Sequence, residues 1–259
     1  MNSPTFNTAE RHLAEFSVTA FMTVFNEADI LPWTIRHLIE QGVAVYVIDN
    51  WSTDDSAKIA QAFPLVGYER FPTDGPSPLY CWRQLLRRVE ILAAESSTDW
   101  CIHHDADEIR RSPRSGEALC DAFWRVDAKG FTAVDHRVFE FQPVDDSYAG
   151  DPERHFRYFR TPPIDGRLAH VKAWKNVGRV NLASSAGHRV DFPGLRIFPD
   201  KFVLKHYPIR TLEQGERKVM RERLPRYDPV ERAMNWHVQY DGLAVNQMIR
   251  DRNTLECWA

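Results

Sequence analysis

Three acidic side chains fall within four positions, Asp105, Asp107 and Glu108 in "CIHHDADEI", directly after a short apolar run. Held extended, Asp105 and Asp107 point the same way with Cα atoms about 7 Å apart, two strand rises, so one cation can lie between them. Hard divalent ions such as Mg²⁺ and Mn²⁺ prefer oxygen ligands, and a site with only one or two carboxylates leaves the rest of the shell to substrate phosphates and water. The chemistry such a pair offers is the docking of a diphosphate. Two other readings stay open on these residues alone. The same acids suit the first turn of a helix, where they face the positive end of its dipole. His103 and His104 with Asp105 also have the donor types of a zinc or iron site. Alternation places His103 on the face of Asp105 and Asp107, beside the ligands, and His104 on the opposite, packed face.

An alternation of strands and helices has to position these residues. "VTAFMTVF" at 18–25 reads as a buried strand, ended by Asn26 and Glu27. A helix follows in which Leu31, Ile35, Leu38 and Ile39 recur at helical spacing, Pro32 suits the first turn and Gly42 the stop. "VAVYVIDN" is the next strand and ends at Asp49; Ser52, Thr53 and Asp54 are caps for the helix "DSAKIAQAF", and "LVGYERF" is a third strand. After the proline-rich loop at 72–78, a helix runs from Leu79 to about Glu95 on the stripe Leu85, Leu86, Val89 and Leu92, and Trp100 to His104 form a fourth strand. The β-α-β rhythm predicts an α/β fold with a mostly parallel central sheet and helices on both faces, in which ligands sit beyond the carboxyl ends of the strands. Asn26, Glu27, Asp49 and the acidic cluster all fall at that edge, which describes a cleft able to hold a nucleotide. Beyond residue 111 the pattern is weaker: "FTAVDHRVFEF" and "KFVLKHYPI" read as strands, "LEQGERKVMRERL" as a helix and "DDSYAGDPERH" as a loop. Without a repeat or a linker, residues 1–259 are read as one domain with a nucleotide-binding half at about 18–111 and an acceptor-side half at about 112–259.

With 259 residues, 43% hydrophobic and 27% charged, and a net charge of -3, the chain can bury a substantial core and gives no electrostatic reason to expect nucleic acid. No apolar run approaches the roughly 20 residues of a membrane span, and "MNSPTFNTAERHLAEF" lacks the basic start and apolar core of a secretory leader, so a cytoplasmic location is expected. Cys81, Cys101, Cys120 and Cys257 are scattered without a C-x-x-C pair, which predicts reduced, structural thiols.

The stretch "TVFNEADILPWTIRHLIEQGVAVYVIDNWSTDDS" resembles the opening of nucleotide-sugar glycosyltransferases of the GT-A fold, family 2 in particular, and "DWCIHHDADEI" resembles their DxD region. A later segment, "LKHYPIRTLEQGERKV", is similar to the H-Y-x-x-K/R-S region of related bacterial and family 92-like transferases. The similarity is clearest over 18–111; residues 130–200 are less alike. The resemblance implies a GT-A (Rossmann-like) fold in which Asn26 and Glu27 border the nucleotide and Asp49 contacts base or ribose. Asp105 and Asp107 would hold Mn²⁺ or Mg²⁺ on the donor diphosphate, with His206 as a further metal ligand or a phosphate neighbour. Arg83 and Lys218, with Arg217 beside it, would be cations near that diphosphate. Trp51, inside "DNWSTD", departs from the simplest family pattern and has no assigned role, and His188, after a glycine, is left open between turn and cleft.

An inverting transfer also needs a base within reach of the acceptor hydroxyl. Asp191 in "GHRVDFPG" has about the separation from the metal acids that the family uses, and Glu140 in "VFEFQP" is its rival at the end of another strand; a surface or capping role stays open for both. The function implied is a metal-dependent hexosyltransferase-type enzyme. It would move a sugar from a nucleotide donor to a glycan or lipid-linked acceptor, in bacterial surface polysaccharide synthesis, with peripheral membrane contact through that acceptor. Two carboxylates and a diphosphate site serve a phosphohydrolase or nucleotidyltransferase equally well, and a nucleotide-sugar binding module without turnover is the third class.

Overall fold

Seven consecutive buried residues, Val18–Val24, form β1 near the middle of the sheet of a computed structural model that describes residues 15–161 and 169–258. The stretch read for a leader lies, up to residue 14, outside the described residues. α1 (Leu31–Glu40) opens with Pro32 in its first turn and buries Leu31, Ile35 and Leu38. Each such side chain contributes roughly 1.5–3 kcal/mol on leaving water. The predicted stop holds: Gly42 adopts φ 72° and its Cα sits so close to Cys120 that a Cβ would lie 2.9 Å from that residue's own. β2 (Ala44–Asp49), α2 (Ser56–Gln61), β3 (Gly67–Arg70), α3 (Trp82–Glu95) and β4 (Trp100–Asp105) follow in the order the sequence predicts. α3 starts three residues later than its periodicity suggests, at Trp82.

The second half supplies β5 (Glu108–Arg111), α4 (Leu119–Ala128), β6 (Ala133–Phe141), the one-turn α5 (Pro152–His155), β7 (Tyr158–Arg160), β8 (Ala173–Lys175), β9 (Ile197–His206), α6 (Leu212–Glu216), α7 (Pro229–Ala233) and β10 (Glu256–Cys257). "LEQGERKVMRERL" is not one α-helix: α6 passes into a π-helical stretch over Arg217–Arg223, an arrangement frequent at functional sites. α5 falls inside the segment read as a loop.

The strands run β10-β7-β6-β8-β4-β1-β2-β3, with β9 pairing both β5 and β6. Only β1–β2, β1–β4, β2–β3 and β6–β9 are parallel; β4–β8, β5–β9, β6–β7, β6–β8 and β7–β10 are antiparallel. The expected α/β sheet is present; it is mixed, with its amino-terminal strands parallel and most antiparallel pairs in the second half. Parallel neighbours need a crossover of a dozen or more residues, usually a helix. Past α4 the helices shorten to single turns, and most strands there meet their neighbours antiparallel. One apolar layer joins α1, α2 and α4 to a face of β1 and β4 through Leu31, Ile35, Ala60 and Phe123. The other sets α3 against Phe21, Ile48, Cys101 and Trp174. Among the described residues all four cysteines are free, and no helix is long and apolar enough to cross a membrane.

Candidate active site

Asp105 and Asp107 are not two alternate positions of one extended strand. Asp105 closes β4, Ala106 and Asp107 form a turn, and Glu108 opens β5. That turn aims the two aspartates at different partners. Asp105 pairs with Thr23 in the β1–β4 register and is bonded through Oδ2 to Lys172 Nζ at 2.6 Å; His103 Nε2 lies 3.6 Å from its Oδ1. Asp107 receives Lys218 Nζ at 2.7 Å on Oδ2 and has His206 Nε2 3.6 Å from Oδ1. The β5–β9 register brings His206 there, because it pairs Glu108 with His206 and the next amide, that of Tyr207, donates to the Asp107 carbonyl at 2.9 Å.

Asp105, Asp107 and His206 are not gathered as one three-ligand set in this arrangement: among the described residues no three of His, Cys, Asp and Glu converge on one point. The pair that does come together is Asp107 with His206. One oxygen and one nitrogen 3.6 Å apart are close enough for a single divalent ion to touch both, and such ions complete their shell with substrate oxygens and water. The donor types suit Mn²⁺ or Mg²⁺ at that corner once the His206 imidazole gives up its proton, with Asp105 beside it.

Around this corner, buried charges are paired with care. Lys172 also bonds Glu108 at 2.8 Å, and Glu108 bonds the fully buried Arg110 at 2.6 Å. Lys218 bridges Asp107 and Glu27, both at 2.7 Å. Arg210 holds Glu27 at 2.5 Å and Asp29 at 2.6 Å. Burial alone would raise the carboxyls of Asp107 and Glu108, but the surrounding cations together, led by Lys218 for the first and Lys172 for the second, outweigh it and hold both well below the usual range. Burial would lower the His206 imidazole; Asp107 overrides it and lifts the value to about 9. His103 has Asp105 at the same 3.6 Å distance, but burial and then the Lys172 charge outweigh it, and His104 has no carboxylate bonded to its ring. Burial pushes them down to about 4 and about 3, so both are neutral, and their ring nitrogens make no hydrogen bond. Gly187, at φ 85°, lets the chain cross His103: a Cβ there would stand 2.9 Å from Leu86 and 3.1 Å from the imidazole.

The other expected residues divide. Asn26 takes the left-handed conformation at φ 55°, accepts from the Thr53 amide at 2.7 Å and donates to Glu222 at 2.6 Å, so it ties β1 to the loop before α2 and to the π-helical stretch. Glu27 and Lys218 neutralise each other and are not free to meet a phosphate. Asp49 is 1% exposed, and its carboxylate already receives the Ser52 amide at 2.9 Å and the Tyr68 hydroxyl at 3.0 Å. It shapes the turn after β2, and the expected contact with base or ribose would require that buried turn to open. Arg83 is exposed in the first turn of α3, with only its amide bonded, to Glu231. Asp191 is exposed and pairs through its backbone with Asn181, and no bond joins it to the Asp107–His206 corner. Glu140 is brought there: it is the register partner of His206 between β6 and β9 and adds to the field that lifts His206. Trp51 stacks under Arg70 and donates to the Pro72 carbonyl, a structural role.

Sequence reasoning missed Lys172, which no motif flags, and Arg223. The Arg223 guanidinium lies 3.9 Å from the centre of the Tyr80 ring and has no carboxylate partner among the described residues. A basic position in a helix gives no sign from sequence of which face it serves; only the π-helical register turns Lys218 inward.

The strand ends, the acidic turn and the charges facing it thus gather at one edge of the sheet. Residues 19–78 match the model of glycosyl transferase family 2. That match covers β1 to β3 and stops short of Asp105, Asp107 and His206. No curated protein matches the chain. Among solved structures, a mycobacterial protein aligns at 21% identity over 50% of this chain and 43% of its own, with a TM-score of 0.34. Glucosyl-3-phosphoglycerate synthase from Mycobacterium tuberculosis, in complex with Mn²⁺, UDP-glucose and phosphoglyceric acid, aligns at 19% identity over 52% of this chain and 50% of its own, again at 0.34. The aligned part thus spans half or less of the length of these structures, and superposition at that level transfers no residue roles.

Proposed function

We propose that the chain is a metal-dependent glycosyltransferase that moves a sugar from a nucleoside diphosphate to a hydroxyl acceptor. The observation that carries this reading is the Asp107–His206 pair, seated at the carboxyl edge of parallel strands whose first three match the family 2 model. A divalent ion held there would offset the charge gathering on the departing diphosphate. Lys172 and Lys218 keep Asp105 and Asp107 ionised at neutral pH despite their burial, and Arg223, with no carboxylate partner among the described residues, is a cation available to a phosphate. The acceptor oxygen attacks the anomeric carbon as that carbon's bond to the diphosphate oxygen breaks. The hydroxyl proton passes to a base, a role that Glu140's register pairing with His206 supports better than Asp191's exposed position. The acceptor is a glycan or lipid-linked sugar in a surface polysaccharide pathway on this reading.

The test is release of nucleoside diphosphate from a panel of sugar nucleotides with Mn²⁺ or Mg²⁺. Asp107→Asn and His206→Gln are each expected to lower turnover by about 10²-fold or more, the scale on which loss of transition-state charge stabilisation is felt. Release that an acceptor does not accelerate would point to hydrolysis, and turnover untouched by either substitution would remove the proposal.

A further inference from the structure

Beside His206 the sheet edge opens into a cavity of about 220 Å³ lined by Glu140, Gln142, Arg160, Tyr240, Gln247 and Arg250, among others. It is continuous in chemistry with the site above, since Glu140 is the register partner of His206, and the Tyr240 phenol, raised first by burial, is also raised by Asp107 and Glu140. Both of its acids are already paired. Glu140 is taken by Arg160, with Nε at 2.8 Å, and by Gln142 at 2.8 Å, while Asp241 is taken by Arg232 at 2.9 Å. Arg250 has its backbone amide bonded to the Pro143 carbonyl, but its guanidinium has no hydrogen bond or ion pair among the described residues. Partial burial, and then the like charge of Arg160, make its protonated state less favourable.

An unpaired guanidinium in a partly enclosed wall, next to a second one, is poised to accept an anion in place of water, and the planar fork of arginine suits carboxylate or phosphate. We infer that this cavity binds an anionic group of the acceptor, a carboxylate or phosphate held by Arg250 with Arg160, and so presents the acceptor hydroxyl toward Glu140 and the Asp107–His206 corner. The assignment to the acceptor rests on the glycosyl-transfer reading; the anion site itself rests only on the charges and the cavity.

Calorimetry on the full chain with glucose, glucuronate and glucose 6-phosphate separates the two. Wild type is expected to bind at least one of the charged sugars 10-fold or more tighter than glucose, and which one is preferred identifies the anion as carboxylate or phosphate. Arg250→Ala should erase that preference, Arg250→Lys should keep part of it, and both should leave Mn²⁺-dependent UDP binding, measured on the same samples, unchanged. Equal binding of charged and neutral sugars, no binding of any of them, or a preference that survives Arg250→Ala overturns the inference. Loss of UDP binding in wild type with the anion preference intact would sink the transferase reading and leave the anion site standing.

Discussion

Lys172 shows at the scale of one residue how the acidic edge can exist. It is 4% exposed and bonds Asp105 at 2.6 Å and Glu108 at 2.8 Å, so its ammonium replaces the water both carboxylates have lost. Taking one partner out of a buried ionic cluster leaves an uncompensated charge, which costs about 3–5 kcal/mol even where the intact cluster contributes little net stability. Lys172→Met, which keeps the length and apolar stem, is accordingly expected to lower unfolding free energy by roughly that amount, read as a fall in the urea midpoint at unchanged slope. A variant within about 0.5 kcal/mol of wild type would mean that Asp105 and Glu108 are hydrated or protonated without it. Nothing in "AHVKAW" marks that lysine, because its role comes from β8 lying antiparallel to β4, a pairing made between residues more than 70 positions apart.

At the scale of elements, legibility follows the range of the forces. β1 to β4 and α1 to α3 could be read because burial on both sheet faces writes continuous apolar runs and the helices carry a 3.6-residue stripe. β5 could not: "EIRR" has one apolar residue, and it is a strand because Glu108 and Arg110 satisfy each other in the interior and His206 lies opposite. The one-turn α5 was equally hidden, although Asp151 caps it by accepting from the Glu153 amide. α5 matters because Glu153 staples two strands, receiving Arg111 of β5 at 2.5 Å and Lys205 of β9 at 2.7 Å. Burial would raise the Glu153 carboxyl, but those two bonds win and bring it down to about 2. A depressed carboxyl contributes stability that is fully present above its unfolded value of 4.5 and is lost as pH falls toward 2. The shift corresponds to at most about 3 kcal/mol, and the half-exposed Arg111 trims it. Glu153→Gln should therefore cost about 1–3 kcal/mol at pH 7, with the gap to wild type shrinking when urea midpoints are taken near pH 2.5. A gap that stays constant with pH would assign the loss to packing.

At the scale of the whole molecule, the resemblance over residues 18–111 invites the idea of a nucleotide-binding half that stands alone, and the pairing pattern opposes it. β4, the strand that delivers Asp105, is an interior strand only because β8 covers its far edge through Trp100↔Lys175 and Ile102↔Ala173. β5 pairs with β9 over all four of its residues. The apolar layer under β1 and β4 includes Val134, Ala173, Phe198 and Phe202 from the second half beside Val18, Met22 and Trp100 from the first. A fragment of residues 15–115 would expose those side chains and leave the β4 edge unpaired, and it would carry Glu108 and Arg110 without Lys172. Each exposed large apolar side chain forfeits roughly 1.5–3 kcal/mol, so a handful exceeds the 5–15 kcal/mol by which a domain is stable. The fragment is expected to be unfolded or aggregated, with collapsed amide dispersion and no cooperative urea transition, whereas the full chain unfolds with tryptophan fluorescence and circular dichroism in step. A well-dispersed spectrum from the fragment would make the amino-terminal half a domain in its own right. The contacts of β8 and β9 would then be a later addition to a fold that already holds, and the site corner at His206 a junction between two bodies.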